Sequence, residues 1–164
     1  MILRPARPED AATLGPFHVR CWQEAYQGII PEEFLQGLDP VTRTDRFAQL
    51  IADDVTDMVV VEDEGELAGF ISFGPAREVE GIGEVYAIYV GSDFWGRGFG
   101  SALLRGAQDR LASEFDRAML WVLTDNTRAR AFYERHGWRA TGDSQYLDLG
   151  GSRVEELRYD RLLR

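Results

Sequence analysis

The chain contains no lysine: all 18 basic side chains among its 164 residues are arginines. A Schiff-base enzyme and a Walker-type nucleotide triphosphatase both require a lysine amine, so neither chemistry is open to it. Cysteine is nearly absent too. Cys21 stands alone, which excludes an internal disulfide, and its apolar neighbours mark it as a packing residue rather than a nucleophile. Hydrophobic runs are short: none approaches the ~18 residues of a membrane span, and no charged leader with an apolar core opens the sequence. A cytoplasmic protein is therefore expected. Positive charge is in deficit, with 28 acidic against 18 basic groups and a net charge of -10. Nucleic acid and anionic membrane surfaces both call for a basic face, so neither is expected as a partner. His18 and His136 are far apart and lack neighbours at metal-ligand spacing; both read as structural, and no metal is expected.

What is present is an ordinary apolar content, 45%, in a length that suits one domain over residues 1–164. Residues 2–6 read as a short edge strand, where Pro5 owes no ladder bond. Pro8, Glu9 and Asp10 suit a first helical turn. Leu14, Phe17, Cys21, Trp22, Ala25 and Tyr26, three and four apart, predict an amphipathic helix ending near Gly28. A second helical region begins at Pro31 and resumes over 41–52. The period then drops to two. Residues 58–61 and 67–73 flank a tight turn, and 84–90 is β-branched and aromatic enough for a central strand. Gly96 to Gly100 lead into a helix reaching about Phe115, followed by a strand at 118–123 and a helix at 127–136 capped by Gly137. Two last strands flank Gly150-Gly151. The order βααβββαβαββ indicates a mixed α/β layer structure (α+β in its mixed sheet) and not a doubly wound Rossmann sheet.

The strongest local signal is the strand ending at Val90 followed by Trp95-Gly96-Arg97-Gly98-Phe99-Gly100-Ser101 and a helix. Alternating glycines at a helix start let backbone N–H groups approach a ligand without Cβ interference, and the helix dipole adds positive potential. A pyrophosphate suits that construction. A P-loop is excluded by the missing lysine, and a Rossmann fingerprint by position and by the lack of an acid ending the next strand.

These residues resemble the GNAT superfamily of acyl-CoA-dependent N-acyltransferases. Its Gln/Arg-x-x-Gly-x-Gly/Ala loop is matched by residues 95–100 except at Trp95, and its second motif by Asn126, Ala129, Tyr133, Gly137 and Trp138. The resemblance spans essentially the whole chain. It implies a three-layer fold with a splayed central sheet, acetyl-CoA as co-substrate and no metal. Ile88, Tyr89 and Val90 would meet the pantetheine arm and thioester, with a backbone N–H stabilising the oxyanion. The loop from Trp95 to Ser101, with Asn126, Ala129 and Phe132, would complete the cofactor site. Tyr133 falls where the family protonates the departing thiolate, a task suited to a phenol of pKa about 10. Glu84 falls where some members carry the base that deprotonates the amine, with Glu78 or Glu80 as substitutes and a solvated strand-end charge as the other reading. Trp22, Tyr26 and Phe34 are candidate acceptor-pocket walls.

The resemblance therefore implies an N-acetyltransferase acting on a small-molecule amine or a protein N-terminus, with a homodimer possible through the last hairpin or an exposed edge. A non-catalytic CoA-binding domain and a nucleotide-binding module are the rivals. Residues 84–139 carry eight Arg and seven acids, so the rest of the chain, with ten Arg and 21 acids, carries a net charge of -11. That placement points to cationic acceptors.

Overall fold

The computed structural model describes residues 1–164. Its strands are β1 (Ile2–Pro5), β2 (Asp57–Asp63), β3 (Glu66–Pro75), β4 (Gly83–Val90), β5 (Arg117–Leu123), β6 (Arg139–Leu149) and β7 (Ser152–Leu162). The helices are α1 (Ala11–Ala25), α2 (Glu32–Gln36), α3 (Pro40–Ala52), α4 (Phe99–Ala112) and α5 (Thr127–Arg135). One mixed sheet runs β1-β2-β3-β4-β5-β7-β6, antiparallel throughout except where β4 meets β5.

Strand alternation sorts the core into two layers. Val59 and Val61 of β2 and Ile71 and Phe73 of β3 pack toward α4, while Met58, Val60 and Phe70 pack toward α1 and α3. With both faces covered, β3 reads as a continuous apolar run. β1 remains an edge, its last residue Pro5 opposite Val59. The fold is the expected three-layer arrangement, with one refinement. The second helical region is two helices, because Asp39 caps a fresh start: its carboxylate accepts from the Val41 and Thr42 amides at 3.1 Å each. Gly137, at φ +83°, follows the last turn of α5 in the left-handed conformation that ends helices.

Candidate active site

β4 and β5 are paired only at Gly83 with Ala118 and Glu84 with Met119, and then part. The cause lies in β4. Opposite the Ser72–Phe73 step it carries one extra residue, Tyr86, so that Ala87 pairs with Ser72 and Val85 with Phe73. A bulge of this kind bends its strand and increases its twist, which carries the rest of β4 away from β5. Along the ladder with β3, hydrogen-bonded and non-bonded pairs alternate. The Gly91 amide donates to the Ala68 carbonyl at 3.0 Å. By that alternation Tyr89 bonds toward β3, and the backbone groups of Ile88 and Val90 face the gap. The Trp95 indole N–H donates to the Val90 carbonyl at 2.8 Å, leaving the Val90 N–H directed into the opening.

A cavity of about 880 Å³ fills this gap between β4, β5, α1, α5 and the loop leading to α4. Gly96 (φ +75°) and Gly98 (φ +88°) shape the loop, and a Cβ added to either would meet no atom within 4 Å. The first bond of α4 runs from the Ala102 amide to the Gly98 carbonyl at 3.0 Å. The amides of Phe99, Gly100 and Ser101 are thus free of helix partners at the positive end of the dipole, a cradle that fits a pyrophosphate. Trp95 forms one wall of the loop, with the Arg128 guanidinium 3.3 Å from its ring centroid.

His136 lies 2.8 Å through Nδ1 from the Phe132 carbonyl and 2.9 Å through Nε2 from Ser101 Oγ. A carbonyl only accepts, so Nδ1 carries the proton and Nε2 accepts from the serine. His136 is structural in the sense that it aims the Ser101 hydroxyl at the head of α4. Asn126 caps α5, its Oδ1 accepting from the Ala129 amide at 3.1 Å.

Tyr133 is 8% exposed and packed against Phe132, Trp138 and Tyr159. It lines the cavity, and its hydroxyl has no hydrogen-bond partner within the protein. Burial pushes its pKa above that of a free phenol, with Tyr26 adding to the shift. The hydroxyls of Tyr26 and Tyr89 are 2.8 Å apart, and burial raises both of their pKa values as well.

Of the site residues that the sequence singles out, all line this cavity except Arg97, Phe34 and the candidate bases Glu84, Glu78 and Glu80. The Arg97 guanidinium turns away to Asp63 at 2.5 Å, beside the Met1 amine, and packs over Phe94 and Phe99; only its backbone belongs to the loop. Phe34 covers the turn at Gly150 and joins the cluster of Ile30, Leu35 and Leu123, to which Trp22 and Tyr26 also pack, without lining the cavity itself. Glu84 precedes the bulge and is 2% exposed, outside the cavity wall. Arg77 grips both of its oxygens, through Nη2 at 2.5 Å, the backbone amide at 3.0 Å and Nε at 3.3 Å. Glu24, Arg128 and Glu156 line the cavity without having been marked by any motif. No three His, Cys, Asp or Glu side chains converge to hold a metal ion, and no helix is long and apolar enough to cross a membrane.

His18 is enclosed by the rings of Trp22, Phe47, Phe70 and Tyr89, and its Nδ1 has no partner. Burial, with the Arg43 charge, pushes its pKa down to about 3. An unfolded chain titrates this group near 6.5, so between those values the unfolded state binds more protons. Stability is therefore expected to fall as pH is lowered from about 6.5 toward 3. His18→Phe should flatten that stretch of the stability curve in urea titrations. A slope as steep as the wild type's would remove His18 from the effect.

A parallel strand that parts from its neighbour and a glycine loop at a helix head are the arrangement that the resemblance to acyl-CoA-dependent acyltransferases implies. The model of the acetyltransferase (GNAT) family matches residues 20–138, and the chain belongs to that family. It is 32% identical over 158 residues, 94% of this chain and 89% of the relative, to the uncharacterized N-acetyltransferase YuaI of Bacillus subtilis. Among solved structures, the PaiA N-acetyltransferase of Thermoplasma acidophilum in complex with coenzyme A is similar in fold. Its TM-score is 0.79 at 18% identity, with 98% of each chain covered. The ribosomal-protein-alanine N-acetyltransferase of Brucella melitensis superposes with TM-score 0.74 at 20% identity, over 99% of each chain.

Proposed function

We propose that this acetyltransferase moves the acetyl group of acetyl-CoA to the primary amine of a small cationic acceptor by direct attack on the thioester, in the cytoplasm. The observation that carries the reading is the convergence, in one cavity, of the α4 cradle, the unpaired edge of β4 and the Tyr133 hydroxyl. The amides of Phe99 to Ser101 would hold the pyrophosphate, with Ile88 and Val90 meeting the pantetheine arm. Acetyl-CoA supplies an activated acyl group. The Val90 N–H would stabilise charge developing on the thioester oxygen, and Tyr133 would protonate the sulfur.

The acceptor class follows from the α1 side of the cavity. Trp22, Tyr26 and Tyr89 line the same cavity as Glu24 and Glu156, a combination of aromatic rings and carboxylates that favours a cation. The excess acidity outside residues 84–139 would also steer cations toward the acceptor side.

Thiol release from acetyl-CoA, measured over polyamines, aminoglycosides, amino acids and N-terminal peptides, tests this. Small polycationic amines should give the highest kcat/KM, and raising salt should lower it several-fold as the Debye length shrinks from about 30 Å at 0.01 M to about 3 Å at 1 M. A neutral or anionic best substrate with a salt-independent kcat/KM would overturn the acceptor class. Binding of acetyl-CoA without turnover on any amine would leave a regulatory domain.

A further inference from the structure

We infer that Glu156 is the general base that takes the proton from the acceptor amine. The inference rests on the acetyl-transfer reading and names the residue that completes its site. An ammonium has no lone pair, so attack on the thioester requires a carboxylate, or a comparable acceptor of protons, at the α1 side of the cavity. Three glutamates sit near enough in the fold to compete; Glu24, on α1, is exposed to solvent, and the surroundings of the other two differ in kind. Glu84 is held on both oxygens by Arg77 and stands outside the cavity wall. Glu156 lines the cavity with Tyr26, Tyr89 and Tyr133, and no arginine pairs with it.

Its placement is fixed by the sheet. Glu156 on β7 lies opposite Leu123 on β5 and opposite Gln145 on β6. The cross-strand neighbour Gln145 donates from Nε2 to Oε2 at 2.8 Å, which fixes the carboxylate plane and leaves Oε1 without a protein partner. The charges facing it come from the β3–β4 connection and β4: Arg77, Glu78 and Glu84, with the Tyr26 hydroxyl across the cavity. Burial raises its affinity for a proton, and Gln145 and Arg77 oppose the rise. A half-buried carboxylate with raised proton affinity and one free oxygen has the properties a base needs at neutral pH.

The proton balance closes with residues already in place. The ammonium gives one proton to Glu156 Oε1, the nitrogen forms its bond to the thioester carbon, and the C–S bond breaks with its electron pair on sulfur. Tyr133 protonates the sulfur. The second nitrogen proton, lost as the amide forms, restores the phenol, and the proton on Glu156 leaves to solvent.

The test is the pH dependence of kcat/KM with the best amine from the thiol-release panel. Glu156→Gln should abolish the acidic limb and lower kcat/KM at neutral pH by about 10- to 100-fold. Its thermal shift with acetyl-CoA should stay at the wild-type size, since the α4 cradle is untouched. Glu84→Gln should retain the limb, moved to lower pH because one of the negative charges facing Glu156 is gone. Gln145→Leu removes a donor to the charged carboxylate and should move the limb to higher pH, a readout that survives if Glu156→Gln fails to fold. Turnover by Glu156→Gln with an unshifted limb, a limb lost in Glu84→Gln, or a limb unmoved in Gln145→Leu would overturn the assignment. Wild-type protein that releases no thiol with any amine would instead refute the acetyl-transfer reading itself.

Discussion

Tyr133→Phe is expected to lower kcat by about 10- to 1000-fold while leaving the affinity for acetyl-CoA nearly unchanged. The substitution removes one oxygen and keeps the ring, so the contacts with Phe132, Trp138 and Tyr159 persist and the fold should be retained. What is lost is a proton donor. The hydroxyl is not committed to any protein acceptor, and burial keeps it protonated well above neutral pH. A thiolate leaving without a proton is a poorer departure, and that difference exists in the transition state but not in the bound ground state. The loss should therefore appear in kcat rather than in KM or in the acetyl-CoA Kd. Because the phenol's pKa is raised, the basic limb of the wild-type profile should not fall in the range of an ordinary tyrosine. A kcat unchanged in Tyr133→Phe would reduce Tyr133 to a packing residue.

The parts of the site legible in the sequence are those built from neighbours along the chain. The loop from Trp95 to Ser101 and the cap at Asn126 are local constructions, in which residue type and spacing dictate backbone geometry directly. Element type is readable from periodicity for the same reason, and so is the order apart from the break at Asp39 that divides α2 from α3. What stayed hidden depends on contacts between distant segments. Arg97 looks like a loop cation until Asp63, 34 positions earlier, is seen to claim it. Phe34 shares its residue type with Trp22 and Tyr26, but α2 carries it to the β6–β7 turn. The two glutamates are the clearest case. No residue type announces the bulge at Tyr86, which separates Glu84 from the stretch of β4 that faces the cavity. Glu156 lies in an ordinary run of alternating strand residues, and only the pairing of β7 between β5 and β6 turns it inward. The splay itself was available only through the family resemblance, since parallel pairing that stops after two residues leaves no local signature.

Gly98→Val is expected to weaken acetyl-CoA binding by about 100-fold, the sum of a conformational and a positional effect. At φ +88° Gly98 occupies the left-handed region, which costs an L-residue about 1–2 kcal/mol and a β-branched one more. Relaxation to negative φ would turn the loop and misdirect the amides of Phe99 to Ser101, each of which is worth about 1.5–3 kcal/mol when bonded to a charged group. If the loop instead held its shape, the new side chain would stand on the cavity wall that Gly98 lines, where no protein atom lies within 4 Å of the added Cβ. Either way the pyrophosphate site is lost, while the core layers remain out of reach of the change. Gly100→Ala provides the contrast. Its Cβ would meet the Phe132 ring at 3.4 Å, an ordinary contact, and its backbone is already helical. Acetyl-CoA should therefore shift the melting temperature of Gly100→Ala nearly as it does the wild type and that of Gly98→Val hardly at all. Equal shifts in all three proteins would mean that the cofactor is held by something other than the head of α4.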